Sequence, residues 1–384
     1  MKRILCLLLA LMMILLCACG SGNQPDPSQS PSASPSTTPS ASQPAQPSPS
    51  AEPPQPSAEP EPSPSAEPSP EPVLAYVNPL TGLPMAEDTA DYKPVAIMLN
   101  NIKAAMPQQG NSQADIIYEV LAEGGITRML GIYHDISDVG IVGSVRSARL
   151  YFWDLALGHD AVYVHAGGSD EFYKYKESRD LSTVDGVKGY YSYATTGMFW
   201  RDRERISGKY YAYEHSLITS GEKMTEIMGS RGEFGAHTDG YTYPITFKEN
   251  GTPTNGQNAT MIIAPFSNSK STTFRYDRDT GLYLAEQYGG AMIDGNDGSQ
   301  IAVTNVIILK TKCVTVDDAG RQSVDLSSGE GWYACGGRLI PIKWEKGNYD
   351  QPLRYYTTDG KALTLGQGKS YVCIIPENRQ IVVE

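Results

Sequence analysis

The chain of 384 residues carries 31 Lys and Arg against 43 Asp and Glu, a formal net charge of −12, and is 40% hydrophobic. Residues 20–72 hold 17 of the 27 prolines, six carboxylates and no Lys or Arg, so that stretch cannot belong to a packed core. The remaining residues 73–384, with 29 basic and 37 acidic side chains, argue against a broad nucleic-acid-binding face and suffice for one large or two modest cores.

In chain order, Lys2–Arg3 precede an uninterrupted apolar run from Ile4 to Leu16. A positive n-region before a short h-region is an export signal. The run is too short for a permanent span, which needs about 20 apolar residues. It ends Leu16–Cys17–Ala18–Cys19–Gly20–Ser21, which resembles a bacterial lipobox: Leu at −3, a small residue at −1, then the cysteine whose thiol receives diacylglycerol. Cys17 at −2 departs mildly from that pattern. Residues 1–18 are thus expected to be a lipoprotein signal peptide, with Cys19 the lipidation site. Two acyl chains anchor stably where one is marginal, so the expected partner is the membrane and the expected place its extracytoplasmic face. Residues 19–72, in near-repeats such as Pro-Ser-Ala-Glu-Pro, are expected to form a disordered Pro/Ser-rich linker. At about 3.1 Å per residue in polyproline II it would reach roughly 160 Å.

From residue 73 the composition becomes ordinary. The apolar segment Pro94–Asn100 predicts a strand. Ile116, Ile117, Val120 and Leu121 fall at helical spacing and predict a helix over Gln113–Glu123 before Gly124–Gly125. Ile126–His134 and Asp160–His165 read as strands; Ala148–Leu157, a segment starting at Ser169–Asp170–Glu171, and Glu222–Met228 read as helices. Beyond about Gly240, short β-branched and aromatic segments alternate with Asp/Gly turns: Thr260–Ala264, Thr272–Tyr276, Leu282–Glu286, Ile301–Lys312 and Tyr371–Ile375. The expected class is α+β, with a mixed α/β N-terminal part over residues 73–240 and a mainly antiparallel β part over 241–384.

Several segments together resemble one family. They include Asn78–Pro79–Leu80–Thr81–Gly82, Ala114–Asp115–Ile116–Ile117–Tyr118–Glu119, Glu123–Gly124–Gly125–Ile126–Thr127–Arg128, and Gly143–Ser144–Val145–Arg146–Ser147–Ala148–Arg149. His165–Ala166–Gly167–Gly168–Ser169, Glu214–His215–Ser216–Leu217, Thr304–Asn305–Val306–Ile307 and Ile342–Lys343–Trp344 continue the series. The combination resembles the YerB-like lipoprotein family, whose globular part is a domain of unknown function in N- and C-terminal parts. The resemblance covers nearly all of residues 73–384. It implies a lipid-anchored surface protein of bacteria with a layered β-sandwich and helices, and it brings no activity and no catalytic residues.

Cations and histidines stand in otherwise apolar or Gly-rich segments: Arg128 after a Gly–Gly turn, Arg146 and Arg149 three apart, His165 ending an apolar strand, and His215. If a helix begins there, Arg146 and Arg149 share a face. Converging, these five residues would bind a carboxylate, a phosphate or an acidic glycan, because guanidinium forks grip planar oxyanions. The structural alternative pairs the arginines with Glu119, Glu123, Asp115 or Asp154. Arg201, Arg203 and Arg205, and tyrosines including Tyr173, Tyr175, Tyr190, Tyr191, Tyr193, Tyr210, Tyr211 and Tyr213, lie in the same stretch, and Tyr outnumbers Phe 24 to 7. Tyrosine beside arginine suits sugar or peptide surfaces and equally a half-buried sheet face.

No metal and no cofactor is expected. No histidine pair has helical ligand spacing, and Asp294–Gly295–Asn296–Asp297–Gly298 lacks the Gly and Glu of a calcium loop and reads as a hairpin turn. Cys313, Cys335 and Cys373 permit one disulfide and are expected unpaired and buried. The resulting expectation is an anchored protein that binds a cell-wall or other anionic envelope ligand without catalysis. The alternative is an envelope hydrolase acting on glycan or peptide, with His165 or His215 as general base beside Asp202 or Glu214.

Overall fold

The computed structural model describes residues 76–203 and 212–384. The expected signal peptide, Cys19 and the linker lie outside the described residues, as do Arg205, Tyr210 and Tyr211.

The fold is α+β and is organised on an eleven-stranded sheet. Its middle is built from Val95–Asn100, Ile116–Leu121 and Thr127–Tyr133, in which every residue is buried. Successive side chains of a strand point to opposite faces. Val95, Ile97 and Leu99 therefore pack on one side with Ile262, Phe274 and Tyr283, while Ala96 and Met98 pack on the other with Phe152, Trp153 and Phe172. The first group of partners comes from a second, six-stranded sheet that contains Met261–Pro265, Ser271–Asp277 and Leu282–Gln287. The second group comes from the helices Leu150–Gly158 and Asp170–Arg179. The layers run helices, large sheet, small sheet.

Burial on both faces explains the one element that the sequence pattern misassigns. Gln113–Glu123 is not a helix; Ile116–Leu121 is a strand, paired antiparallel with Thr127–Tyr133 and parallel with Ser370–Pro376. A strand covered on both sides needs apolar residues throughout, and a continuous apolar run also satisfies helical spacing. The remaining helices start where expected. Ser169 Oγ accepts the Phe172 N–H at 3.2 Å, and Asp170 and Glu171 fill the positive first turn. Ser220 caps Gly221–Gly229 in the same way.

Ser370–Pro376 lies between Asn305–Thr311 and Ile116–Leu121, parallel to both, so strands from the two stretches of sequence share one sheet. Antiparallel pairs dominate elsewhere, including Ser328–Cys335 with Arg338–Lys346. Asp294–Gly298 forms a turn. The Asp294 carboxylate accepts from the Gly110, Ser112 and Asn296 N–H groups and the Ser112 hydroxyl, a donor set that satisfies it without a cation. Cys313, Cys335 and Cys373 are free thiols.

A charged pair, Glu119 and Lys270, is buried inside this core. Glu119, fully buried, meets Lys270 Nζ at 2.7 Å and accepts from the Asn101 amide and the Thr127, Thr272 and Tyr371 hydroxyls. Burial pushes its carboxyl upward, but Lys270 and these donors outweigh that and hold it below its ordinary 4.5. A depressed folded value means that the contribution is present above pH 4.5 and is lost as pH falls through the folded value. Lys270→Met is expected to destabilise by about 3–5 kcal/mol in urea unfolding at pH 7, because it strands a buried carboxylate. The double variant Glu119→Gln/Lys270→Met should recover much of that loss and flatten the acid dependence. An unchanged urea midpoint for Lys270→Met would show that the pair contributes nothing.

Candidate functional site

The arginines gather where three structural features meet at one end of the central strands of the large sheet. Arg128 lies in the Thr127–Tyr133 strand, directly across from Asn100. The segment after Gly143 runs extended beside them. Its Gly143–Ser144 peptide is cis, and its backbone is fixed by bonds from Asn100 N to Ser144 O, Val145 N to Leu217 O and Arg146 N to Met98 O. The third feature is the turn Tyr213–Glu214–His215, which leads into the strand Leu217–Ser220.

The expected helical face for Arg146 and Arg149 does not exist, because the helix begins at Leu150 with Arg149 as its extended N-cap. The two arginines come together through a shared environment instead. Glu123 accepts from Arg128 Nη2 at 3.1 Å and from Arg149 Nε. Arg128 Nη1 donates to Ser147 O at 2.7 Å, and Arg149 Nη1 to Ala148 O at 2.7 Å. Gly124 and Gly125, at φ of 65° and 76°, give Glu123 the reversal that returns it to Arg128; a side chain would strain either position. Arg146 Nη1 donates to Glu214 O at 3.0 Å, and Arg201 Nη1 to the neighbouring Tyr213 O at 2.7 Å.

Positive charge accumulates here. Burial, then the nearby Arg149, lowers the Arg128 guanidinium to about 10 despite Glu123. Burial likewise lowers Arg146, with Glu214 opposing and Arg149 and Arg201 adding to the fall. The Nε–H groups of Arg128, Arg146 and Arg201 are buried without a hydrogen-bond partner among the described residues. Two guanidinium groups share the single carboxylate of Glu123, so the cluster carries more positive charge than its own side chains neutralise, the arrangement that suits an oxyanion.

The histidines separate. His215 Nδ1 accepts from the Asn100 amide at 3.0 Å, and the same amide donates to Ser144 Oγ at 3.2 Å, so His215 adjoins the cluster with Asn100 standing between it and Ser144. His165 is a correction: it is fully buried and leaves no ring nitrogen for a ligand. Its Nδ1–H donates to Gly167 O at 2.8 Å, its Nε2 accepts from Thr183 Oγ1 at 3.0 Å, and the ring stacks on Tyr163. Burial keeps the imidazole below 6.5 although Asp185 lies 4.0 Å away. Asp185 itself holds the Gly167 N–H and the Tyr173 hydroxyl. The group thus shapes the Gly167–Gly168 turn. Asp202 follows the short strand Trp200–Arg201, its N–H on Ser216 O.

Asn100 is the site residue that sequence reading missed. Its signal was a polar side chain ending an otherwise apolar strand.

Two parts of one sequence family match this chain: Protein of unknown function (DUF3048), N-terminal domain, over residues 80–233 and its C-terminal domain over residues 262–372. The chain belongs to the DUF3048 family. It is 28% identical over 314 residues to "Putative lipoprotein YerB" of Bacillus subtilis (strain 168), covering 78% of this chain and 86% of that one. The crystal structure of YerB protein from Bacillus subtilis is similar at a TM-score of 0.68 and 29% identity, over 80% of this chain and 99% of the other. The whole arginine cluster falls within the DUF3048 N-terminal match, whereas Lys270 and Thr272, which tie down the second sheet, fall within the C-terminal one.

Glu123→Gln removes the carboxylate between two crowded arginines. It is expected to lower stability by about 1–2 kcal/mol in urea unfolding at low salt, and sodium sulfate should restore more of the loss than sodium chloride at equal ionic strength. Equal responses to the two salts would mean that the cluster has no preference for oxyanions.

Proposed function

We propose that this chain is a lipid-anchored protein on the extracytoplasmic face of the cell membrane whose head binds an anionic, envelope-associated ligand without converting it. The observation that carries the ligand class is the charge imbalance: Arg128 and Arg149 share one carboxylate, Glu123, while Arg146 and Arg201 are spent on backbone carbonyls of one turn. Guanidinium groups held at fixed spacing by strands and by Glu123 are pre-organised to receive a second oxyanion, so little ordering cost remains at binding. The lipobox-like Leu16–Cys19, the similarity to a protein named as a lipoprotein, and the proline-rich stretch that would hold the head away from the bilayer support the anchor.

The full-length protein in detergent is expected to retain inorganic phosphate and purified anionic cell-wall fragments, with affinity falling as salt rises. Arg146→Ala and Arg149→Ala should each weaken retention at least tenfold, the loss of one charge-assisted hydrogen bond. Retention that is indifferent to both substitutions would sink the site, and release of soluble products from the fragments would sink the absence of chemistry. For the anchor, Cys19→Ser should move the protein from the membrane to the soluble fraction on cell fractionation.

A further inference from the structure

Beside the arginine cluster lies an exposed aromatic pair that neither the core nor the ion pairs account for. Tyr213 and Tyr193 are 51% and 38% exposed and are linked by a hydroxyl–hydroxyl contact of 3.2 Å. The Arg201 guanidinium lies 3.8 Å from the Tyr213 ring centre and 5.1 Å from that of Tyr193. Side chains of this size lose rotamer freedom when they are ordered at a surface. Here the ordering comes from Arg201, which stacks on both rings while donating to the Tyr213 carbonyl. The platform is contiguous with the anion cluster, because Arg146 holds the very next carbonyl, that of Glu214. Consecutive residues are only about 3.8 Å apart along the chain, so a ligand of one or two rings would touch both.

From this juxtaposition the geometry points to a phosphorylated saccharide as the ligand: the phosphate on Arg146 and Arg149, the sugar ring on Tyr213 and Tyr193. This rests on the anion-binding reading and names its ligand class. A pyranose presents C–H groups on its faces and hydroxyls at its rim. A tyrosine pair complements both, since the ring supplies apolar contact and the phenol hydroxyls stay available for hydrogen bonds. A bare inorganic anion would make no use of the platform. A purely neutral glycan would make no use of the guanidinium charge of Arg146 and Arg149, which Glu123 alone does not balance.

The test measures binding of N-acetylglucosamine 1-phosphate, inorganic phosphate and N-acetylglucosamine to the full-length protein in detergent. The sugar phosphate is expected to bind about tenfold more tightly than inorganic phosphate, and the neutral sugar much more weakly than either. Tyr213→Ala should erase the advantage of the sugar phosphate and leave inorganic phosphate unchanged. Tyr213→Phe, which keeps the ring and the stack on Arg201, should retain most of that advantage and controls for folding. Arg149→Ala should weaken both phosphates together. Equal affinity for phosphate and sugar phosphate overturns this inference and leaves the anion-binding reading standing. Absence of binding by either phosphate overturns both. Binding of the neutral sugar as tight as that of its phosphate overturns the coupling of the two subsites.

Discussion

The structure depends on a charge that the core has to accommodate. Glu119 occupies the middle of a strand covered on both faces, where an unpaired carboxylate would cost several kcal/mol. Much of its compensation comes from far along the chain: Lys270 from the turn before the second sheet's Ser271–Asp277 strand, Thr272 from that strand, and Tyr371 from the strand that joins the two stretches of the large sheet, with Asn101 and Thr127 added from neighbouring segments. The two sheets are therefore held in one relative position by directional bonds as well as by hydrophobic contact. Apolar packing alone would tolerate sliding; a carboxylate with five fixed partners does not.

That positional restraint reaches the arginine cluster through very short connections. Asn101 binds Glu119, while Asn100, one residue earlier, binds Ser144 and His215 and faces Arg128 across the strand pair. Thr127 binds Glu119, and Arg128 follows it. The same two strand ends thus deliver alternate side chains to a neutralised pair in the core and to an under-neutralised cluster at the rim. The inner site spends its charges on each other. The outer one keeps positive charge to spare.

Legibility in the sequence followed how local each feature is. The helix start at Ser169 was readable because its hydroxyl satisfies an N–H group three residues on, a contact set by adjacent residues. The hairpin of Ser271–Asp277 with Leu282–Gln287 was readable from the Asp/Gly turn between its strands, whereas Ser328–Cys335 and Arg338–Lys346, which turn on Gly336–Gly337, were not. Ile116–Leu121 was not, because burial on both faces is a property of what packs against the strand, and it removes the alternation that distinguishes strand from helix. His165 was misread for a related reason. A histidine closing an apolar strand reads the same whether its nitrogens face a ligand or, as here, a backbone carbonyl and Thr183.

By itself the sequence determined the division into an apolar N-terminal run, a proline-rich stretch and a stretch of ordinary composition with α+β patterning, since residue composition changes sharply between them. It also singled out Arg128, Arg146 and Arg149 as cations in segments where cations are costly. Only the tertiary structure decided that they converge, through Glu123 and a turn some seventy residues beyond Arg146 in the chain, rather than along a helix face. It likewise removed His165 from their company and set Arg201 and its two tyrosines beside them. The reason is physical: charge repulsion, shared acceptors and ring stacking act over a few ångströms of space, and distances of that kind between remote segments are not written in residue spacing.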